Sequence, residues 1–261
     1  MTKPSQPAHE QPIEEELVQE EASERAVRRL MDQYTEIARL AGALAHEIKN
    51  PLSTIRLNME LLAEDLDGLE TPGARRATRR IGTMQSECQR LQQLLDDFLQ
   101  FARARNLELR PADLNAEIED LIAFFQAQAD EAGIEITPYL DPELPTVLLD
   151  REAFRGALLN LLINAQQAMP DGGQVVVRTK AKGDSVSLQL IDSGVGMSDR
   201  TAARMFEAFF STKPGGSGLG LPTTAKIIEA HNGRITVQSE QGRGTQFTVD
   251  LPIPPRLPGE A

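Results

Sequence analysis

Residues 46–52 read His-Glu-Ile-Lys-Asn-Pro-Leu, which places a histidine beside an acid on an otherwise helical stretch that a proline then interrupts. Pro51 has no N–H group to bond the carbonyl of Glu47, so we expect the helix to bend just after His46. A lone histidine is more often structural than reactive. His46 is nevertheless a candidate phosphoacceptor, because imidazole is substantially neutral near pH 7 and one ring nitrogen can act as a nucleophile.

Apolar residues with heptad spacing lie on both sides of this run and predict a long amphipathic helix. The register skips one residue between Leu44 and Leu52, which should distort the coil locally. In both registers His46 falls at an outward position, where it contributes nothing to a core and is open to chemistry. The seam residues are Leu30, Ile37, Leu40 and Leu44 upstream, and Leu52, Ile55, Met59, Leu62, Leu66 and Leu69 downstream.

A second amphipathic helix is predicted after a turn at Asp67-Gly68 and Thr71-Pro72-Gly73. Two such helices form a hairpin, and one hairpin cannot cover its own apolar seam on all sides. We therefore expect two copies of the chain to form a homodimer with a four-helix bundle. The heptads alone would fit any coiled-coil dimer. The seam of the second helix consists of Ile81, Met84, Cys88, Leu91, Leu95 and Phe98.

The pattern changes after residue 106, where short strands and helices replace the heptads. Helices are expected from Pro111 to about Asp130 and over residues 151–169. Two hairpin signals mixed with helices indicate an α/β sandwich with a largely antiparallel sheet. The expected strands are at residues 107–109, 134–136, 147–149, 174–182, 185–192, 234–240 and 245–251.

Composition restricts the classes of function. The formal net charge is −12, which argues against nucleic-acid binding, and residues 1–24 contribute seven glutamates against one lysine. The one cysteine, Cys88, excludes an internal disulfide and a Cys-x-x-Cys metal site. No stretch reaches about 18 uninterrupted apolar residues, so no membrane span is expected. These features predict a soluble, cytoplasmic chain with an acidic and disordered leader.

Glycine-rich runs mark a second candidate site. The run from Gly216 to Gly220 is followed by Leu221 and Pro222, and proline is preferred in the first turn of a helix. The loop is therefore expected to open a helix whose N–H groups receive phosphate, although many such loops are only tight turns. It is neither a Rossmann fingerprint nor a P-loop. The accompanying runs are Asn160-Leu-Leu-Ile-Asn164, Asp192-Ser-Gly194-Val-Gly196, Phe206-Glu-Ala-Phe209-Phe210 and Gly242-Arg-Gly244-Thr245.

Together with the His46 run, these motifs resemble, in order, the H, N, G1, F, G2 and G3 boxes of two-component sensor histidine kinases. The resemblance covers roughly residues 30–251. The His-Glu-x-x-Asn-Pro-Leu pattern is most similar to sensor histidine kinases of the nitrogen-regulation type. The resemblance implies a dimerisation and histidine phosphotransfer domain (HisKA) at residues 27–106 and a catalytic, GHKL-type ATP-binding domain of the Bergerat fold at 107–252. An acidic leader at 1–26 and a proline-rich tail at 253–261 would flank them.

The resemblance also implies ATP and Mg²⁺ as cofactors and assigns residues to the phosphates. Asn164 is the expected Mg²⁺ ligand, and Asn160, one turn earlier on the same helix face, is expected to meet the same metal and phosphate cluster. Lys213 is expected to neutralise phosphate. Each has a plain alternative, since the two amides could be caps or core residues and the lysine a solvated charge.

The base of the nucleotide has its own expected contacts. Asp192 matches the carboxylate that accepts a hydrogen bond from the adenine amino group, although it could be a turn former. Gly194 and Gly196 match residues that let the backbone approach the base. The other expected nucleotide-binding residues are Gly216, Ser217, Gly218, Leu219, Gly220 and Thr245.

One departure from related ATPases is informative. ATPases such as DNA gyrase carry a glutamate four residues before the metal-binding asparagine, where it activates water, and this chain has Asn160 there. Without that base, hydrolysis should be slow and ATP should be preserved for another nucleophile. His46 is the expected recipient, with Glu47 holding its other ring nitrogen.

These inferences predict a sensor histidine kinase that autophosphorylates His46 from Mg-ATP and passes the phosphoryl group to an aspartate of a response regulator. Asn50 shares a helix face with His46 and is expected to orient water for dephosphorylation of the regulator, or else is only a polar residue before Pro51. An upstream sensor protein is expected to supply the signal. His231 is the next candidate acceptor. The alternatives are a GHKL-type ATPase or serine kinase, and a non-catalytic dimeric scaffold.

Overall fold

The computed structural model describes residues 48–69, 71–103, 107–213 and 216–254. Its first helix, α1, covers residues 48–65, and α2 follows at Pro72–Arg103. Thr71 starts α2, because its hydroxyl accepts a hydrogen bond from the Ala74 N–H at 3.1 Å. Pro72 suits the first turn, where its missing N–H needs no partner. The predicted helical hairpin is confirmed.

Several predictions at the start of the chain lie outside the described residues. These are the acidic leader, the upstream seam from Leu30 to Leu44, and His46 with Glu47 and the bend expected after them. Asn50 and Pro51 are described, and α1 runs through both without interruption.

Alternate seam positions form the core of the hairpin. Leu52 and Met59 of α1 pack with Ile81 and Cys88 of α2, and all four are buried. Four other seam residues of the two helices remain about half exposed: Ile55, Leu62, Met84 and Leu91. Leu95 and Phe98 of α2 are partly buried. One hairpin therefore covers only part of its apolar seam.

The remaining elements form a sheet with helices packed on it. They follow in the order β1 (Arg110–Ala112), α3 (Leu114–Glu131), β2 (Ile134–Tyr139), β3 (Val147–Leu149), α4 (Arg151–Ala168), β4 (Gly173–Lys182), β5 (Ser185–Asp192), α5 (Asp199–Arg204), α6 (Gly220–Ala230), β6 (Arg234–Glu240) and β7 (Gly244–Pro252). The main sheet has the order β2–β4–β5–β7–β6, in which β2 and β4 are parallel and all other neighbours antiparallel. The predicted α/β sandwich is confirmed.

Three predicted boundaries are wrong. The strand expected at residues 134–136 extends to Tyr139. The strand expected at residues 107–109 lies instead at Arg110–Ala112, where it pairs with β3 in a separate two-stranded sheet. The helix expected from Pro111 begins at Leu114, because Asp113 is its N-cap and accepts hydrogen bonds from the backbone N–H groups of Asn115 and Ala116. Pro111 is tolerated in β1 because that strand is an edge strand.

One face of the main sheet is covered by α3, α4 and α6. Inward and outward residues alternate along the strands, as expected for a sheet with one covered face. The uncovered face is polar and includes Lys180. The buried strand residues of the core are Val175, Val177, Val186, Leu188, Leu190, Phe247, Val249 and Leu251.

The hairpin contacts the second domain through its last turns. Lys226 of α6 places its ammonium 3.4 Å from the centroid of the Phe101 ring on α2, a cation–π contact. Ala102, the next residue of α2, is buried. The helix that begins at the glycine-rich loop is thereby joined to the helical hairpin. None of the helices within the described ranges combines the length and apolar character needed to cross a bilayer.

His231 has a structural role at the end of α6. Its ring is buried, with Nδ1 2.7 Å from the carbonyl oxygen of Ile227 and Nε2 3.0 Å from the backbone nitrogen of Asp150. A carbonyl can only accept and an N–H can only donate, so Nδ1 carries the proton and Nε2 accepts. Neither nitrogen is free to attack phosphorus, which argues against His231 as an alternative phosphoacceptor.

We expect His231→Ala to lower the free energy of unfolding by roughly 2–4 kcal/mol, because it leaves the buried Asp150 N–H without its acceptor and opens a cavity beside Phe154. Urea denaturation measures the change. His9→Ala, outside the described residues, is the matched control and should change nothing. An unaltered midpoint for His231→Ala would contradict this role.

Candidate active site

The predicted amides lie on one face of α4. The side-chain N–H₂ of Asn164 donates to the backbone carbonyl of Asn160 at 2.8 Å and lies 3.3 Å from its Oδ1. Asn160 in turn donates to the Thr224 hydroxyl of α6 at 2.9 Å. Because the Asn164 nitrogen is engaged within α4, its Oδ1 is the atom available to a cation.

That oxygen already faces a cation. The Lys213 ammonium donates to Asn164 Oδ1 at 2.8 Å and also to Oε1 of Gln167. Although Lys213 as a residue is exposed, its ammonium is enclosed by these groups, and the desolvation lowers its pKa below the ordinary value. The Asn164 oxygen is thus a site for positive charge, and its role toward a metal and phosphate cluster stays a prediction.

Asp192 lies at the end of β5 and is only 4% exposed. Its Oδ1 accepts from the N–H groups of Gly194 at 2.9 Å and Thr245 at 3.2 Å. Burial raises the pKa of the carboxyl, and the two hydrogen bonds oppose that rise. None of the described residues donates to Oδ2, so this oxygen is available to a donor on a ligand.

The segment after Asp192 is pinned between α4 and the β6–β7 turn. The Val195 N–H donates to the carbonyl of Ala168 at 3.0 Å, and the Val195 carbonyl accepts from Gly242 at 2.7 Å. A Cβ at Gly194 would lie 2.7 Å from the Ala168 side chain. Glycine at 194 is thus required by packing, and Val195 itself remains exposed.

The glycine-rich loop opens α6 as predicted. Leu219 precedes the first helical residue, Gly220, and no side chain among the described residues caps the free N–H groups there. Gly218 has φ 67° and its carbonyl accepts from the Phe209 N–H at 2.9 Å. A side chain at 218 would be strained and would place its Cβ 2.5 Å from the carbonyl carbon of Phe209.

Other predicted site residues have mainly supporting contacts. Leu219 is buried in the protein, so only its backbone can face a ligand. The Ser217 hydroxyl accepts from the Leu219 N–H at 3.3 Å, and the Gly216 N–H donates to the carbonyl of Lys213 at 3.2 Å. Thr245 positions Asp192 through its N–H, while its hydroxyl lies 3.0 Å from Ser239 Oγ.

The structure brings the predicted residues of the second domain together around α4. A Cβ at Gly220 would overlap the Asn160 amide, so the phosphate loop lies directly beside the N-box amides, while Gly194 packs on the far end of the same helix. Asn50 is exposed on α1 in the helical hairpin. In the described part of the chain, no group of three or more His, Cys, Asp or Glu side chains could hold a metal ion.

Sequence reasoning missed several residues. Gln167 follows Asn164 by three positions on the same helix face, a signal that could have identified it. Phe209 has φ 66°, an unusual conformation for a bulky residue, and no local sequence signal indicates it. Arg204 lies over the Phe210 ring at 4.2 Å and pairs with Glu207 at 2.9 Å, which anchors this segment.

Comparisons with known proteins identify the family of the chain. The family model described as "Histidine kinase-, DNA gyrase B-, and HSP90-like ATPase" matches residues 149–255, and that of the "His Kinase A (phospho-acceptor) domain" matches residues 36–107. The chain belongs to the histidine kinase family. The nitrogen-regulation subtype stays a prediction.

Relatives of this histidine kinase chain are similar over most of its length. Sporulation kinase E of Bacillus subtilis (strain 168) is 32% identical over 218 residues, 83% of this chain and 29% of that protein. Signal transduction histidine-protein kinase AtoS of Escherichia coli (strain K12) is 32% identical and matches 84% of this chain and 35% of its own length. Sensor histidine kinase ZraS of the same strain is 32% identical and matches 83% of this chain and 46% of its own length. The chain thus spans less than half the length of these relatives.

Two solved structures share the fold. Full-length ShkA in complex with AMPPNP has a TM-score of 0.67 and 30% identity, covering 82% of this chain and 45% of that one. Histidine kinase ThkA in complex with the response regulator protein TrrA has a TM-score of 0.60 and 26% identity, covering 83% and 62%. Each match covers more of this chain than the second domain contains.

We expect Asp192→Asn to fold and to bind ATP roughly tenfold to a hundredfold more weakly. The asparagine oxygen can still accept from Gly194 and Thr245, but its N–H₂ would face the adenine amino donor, and a hydrogen bond to a charged group is worth about 1.5–3 kcal/mol. Isothermal titration calorimetry with the full chain measures the affinity.

The same variant has a pH signature. Because the folded-state pKa of Asp192 is raised, ionisation of the wild-type carboxyl costs stability above that pKa, and the cost fades as the pH falls toward 3.8, the ordinary pKa of an aspartate. Asp192→Asn should therefore be more stable than wild type at pH 7, with the gap closing in acid. Unchanged ATP affinity would show that Asp192 does not contact the ligand.

Proposed function

We propose that this chain is the catalytic core of an ATP-dependent histidine kinase that binds Mg-ATP against α4, α6 and the end of β5 and phosphorylates His46. The observation that carries the proposal is the placement of Asn164 Oδ1, Lys213 and the start of α6 along α4, whose last residue Ala168 packs on the segment that follows the buried Asp192 carboxylate. A nucleotide needs just such a combination of a base acceptor and phosphate donors. The AMPPNP complex of ShkA supports it.

The transfer step follows from the chemistry of imidazole. One ring nitrogen of His46 attacks the γ-phosphorus, and the N–P bond forms as the bond from that phosphorus to the β,γ-bridging oxygen breaks. The electron pair of the broken bond leaves with ADP. Glu47 is proposed to hold the other ring nitrogen through its N–H. Both residues rest on the sequence, since they lie outside the described residues.

Asn164 is the proposed protein ligand of Mg²⁺. Mg²⁺ accepts an amide oxygen as a ligand. In the structure the Asn164 oxygen already accepts a hydrogen bond from a cation, the Lys213 ammonium. When bound, Mg²⁺ would neutralise charge on the phosphates during transfer. The N–H groups at the start of α6 orient the phosphates.

Slow hydrolysis is part of the proposal. The position of the water-activating glutamate of related ATPases is occupied by Asn160, whose amide donates to Thr224. An amide is not a base, so bound ATP is expected to persist until His46 reaches it. A hydrolytic GHKL-type ATPase is therefore the less favoured function.

We propose that the chain is a homodimer through the hairpin. Four apolar side chains at heptad positions are about half exposed in one chain, and a second hairpin would cover them in a four-helix bundle: Ile55, Leu62, Met84 and Leu91. The division into residues 27–106 and 107–252 is supported by the end of α2 at Arg103 and the start of β1 at Arg110.

Leu62→Glu combined with Leu91→Glu should convert the dimer into a monomer, because each places a charge in the seam. Sedimentation velocity measures the mass, and circular dichroism checks that the helices persist. Leu57→Glu, similarly exposed on α1 but outside the heptad seam, is the matched control and should stay dimeric. A helical double variant that remains a dimer would contradict the seam.

The proposed partner is the receiver domain of a response regulator, which would accept the phosphoryl group on an aspartate. The ThkA–TrrA complex supports this class of partner. Asn50 is exposed on α1 and is proposed to orient water toward phosphoaspartate. A separate sensor protein upstream and a cytoplasmic location are proposed with it, the latter because the single cysteine of the chain suits a reducing compartment.

Incubation with γ-labelled ATP tests the function. Wild type should acquire acid-labile, base-stable label, His46→Gln should acquire none, and Asn50→Ala should be labelled normally but should dephosphorylate its regulator at least about tenfold more slowly. The loss at His46 follows from removal of the nucleophile, and the loss at Asn50 from removal of the group that orients water.

His9→Gln is the matched control, since His9, His46 and His231 are the three histidines of the chain. Label that survives in His46→Gln would overturn the acceptor, and intact phosphatase activity in Asn50→Ala would overturn the role in water positioning. Free phosphate without labelled protein would identify an ATPase, and neither product a scaffold.

A further inference from the structure

The Lys213 ammonium is hydrogen-bonded to Asn164 Oδ1, the oxygen that is proposed to bind Mg²⁺. The ammonium lies 2.8 Å from this oxygen and also bonds Gln167 Oε1. The Asn164 amide cannot turn away without loss, because its N–H₂ is committed to the Asn160 carbonyl at 2.8 Å. The oxygen of Asn164 is thus held toward Lys213.

The backbone of Lys213 is held as well. Its N–H donates to Ser211 Oγ at 3.1 Å and its carbonyl accepts from the Gly216 N–H at 3.2 Å. A lysine has four rotatable side-chain bonds, so the ammonium can leave Asn164 while the backbone stays in place. Only the side chain needs to move when another cation arrives.

An ammonium and a divalent cation cannot share this position. Mg²⁺ binds oxygen at about 2.0–2.1 Å in strict octahedral geometry, which leaves no room for a charged nitrogen at hydrogen-bond distance on the same side of the oxygen. The two positive charges would also repel each other at close range in a partly desolvated site. One cation must therefore displace the other.

We propose that Lys213 is a built-in counter-cation that competes with Mg²⁺ for Asn164 Oδ1. The inference rests on the proposed nucleotide site and deepens it. Without metal, the Lys213 ammonium bridges Asn164 and the phosphates of ATP, and it moves wholly to the phosphates when Mg²⁺ takes the oxygen. Lys213 thereby lowers the dependence of ATP binding on the metal.

Thermodynamic linkage gives the sign of the effect. The coupling between metal and nucleotide is the ratio of the dissociation constant without Mg²⁺ to that with Mg²⁺. Lys213→Met removes the competing cation. The nucleotide complex without Mg²⁺ loses the bridge between Asn164 and the phosphates, which weakens it. The complex with Mg²⁺ loses the ammonium that competes for Asn164 Oδ1, which favours it. Attraction of Lys213 to phosphate is lost from both complexes and largely cancels in the ratio. The ratio must rise.

The experiment measures binding of AMPPNP to the full chain by calorimetry, in EDTA and in saturating Mg²⁺. We expect the ratio to rise at least about fivefold in Lys213→Met. Gln167→Leu keeps the charge but removes the second partner of Lys213, so it should raise the ratio by a smaller factor. Lys180→Met, the same change on the uncovered face of the sheet, is the control and should leave the ratio at the wild-type value.

A ratio that is unchanged or smaller in Lys213→Met would overturn the competition. This failure is distinguishable from failure of the proposed function, because in that case the wild-type chain would not bind AMPPNP even with Mg²⁺. Lys213 is exposed as a residue, and circular dichroism confirms that each variant is folded before titration.

Discussion

The side-chain amide of Asn160 donates to the Thr224 hydroxyl at 2.9 Å and joins α4 to the first turn of α6. Gly220 permits this approach, because any Cβ there would overlap the amide. The proposed metal ligand, Asn164, lies one turn further along α4, and the phosphate loop ends where α6 begins. A half-buried polar contact of this kind is tolerated because both partners are bonded, and it fixes the distance between ligand and loop. The rest of the site is arranged around it.

Asp192 differs from the Asn160–Thr224 contact, because burial of its carboxyl lowers the stability of the fold. A buried carboxyl is costly, and here the N–H groups of Gly194 and Thr245 only partly offset the loss of water, since the pKa remains raised. The buried carboxyl lies at the end of β5, and its Oδ2 accepts no hydrogen bond from the described residues. Stability alone would favour a neutral residue at this position, so the retained charge is best explained by a ligand that donates a hydrogen bond to it.

Local sequence signals predict most elements. One wrong boundary comes from two competing local signals, and the site contacts that spacing does not predict are tertiary. Alternating strands and heptads predicted the sheet and the hairpin, and spacing by four placed Asn160 and Asn164 on one face. The start of α3 was missed because Asp113 provides a stronger N-cap than the proline preference indicated. The contact of Lys213 with Gln167, the left-handed Phe209 and the Phe101–Lys226 pair depend on how distant segments meet. Spacing along the chain carries no information about such contacts.

Asn160 stands where related ATPases carry a glutamate, and this difference has two physical consequences that reinforce each other. The Asn160 amide donates to the Thr224 hydroxyl and so holds α4 against α6. An ionised carboxylate could only accept from that hydroxyl, which already donates to the Ala157 carbonyl at 3.5 Å. The same amide cannot take a proton from water, so the γ-phosphate of bound ATP would meet an ammonium and amide oxygens instead of a general base. The nucleophile must then come from outside the sheet domain. The cation–π contact between Phe101 of α2 and Lys226 of α6 joins the hairpin, which follows the candidate histidine in sequence, to the helix that opens at the phosphate loop.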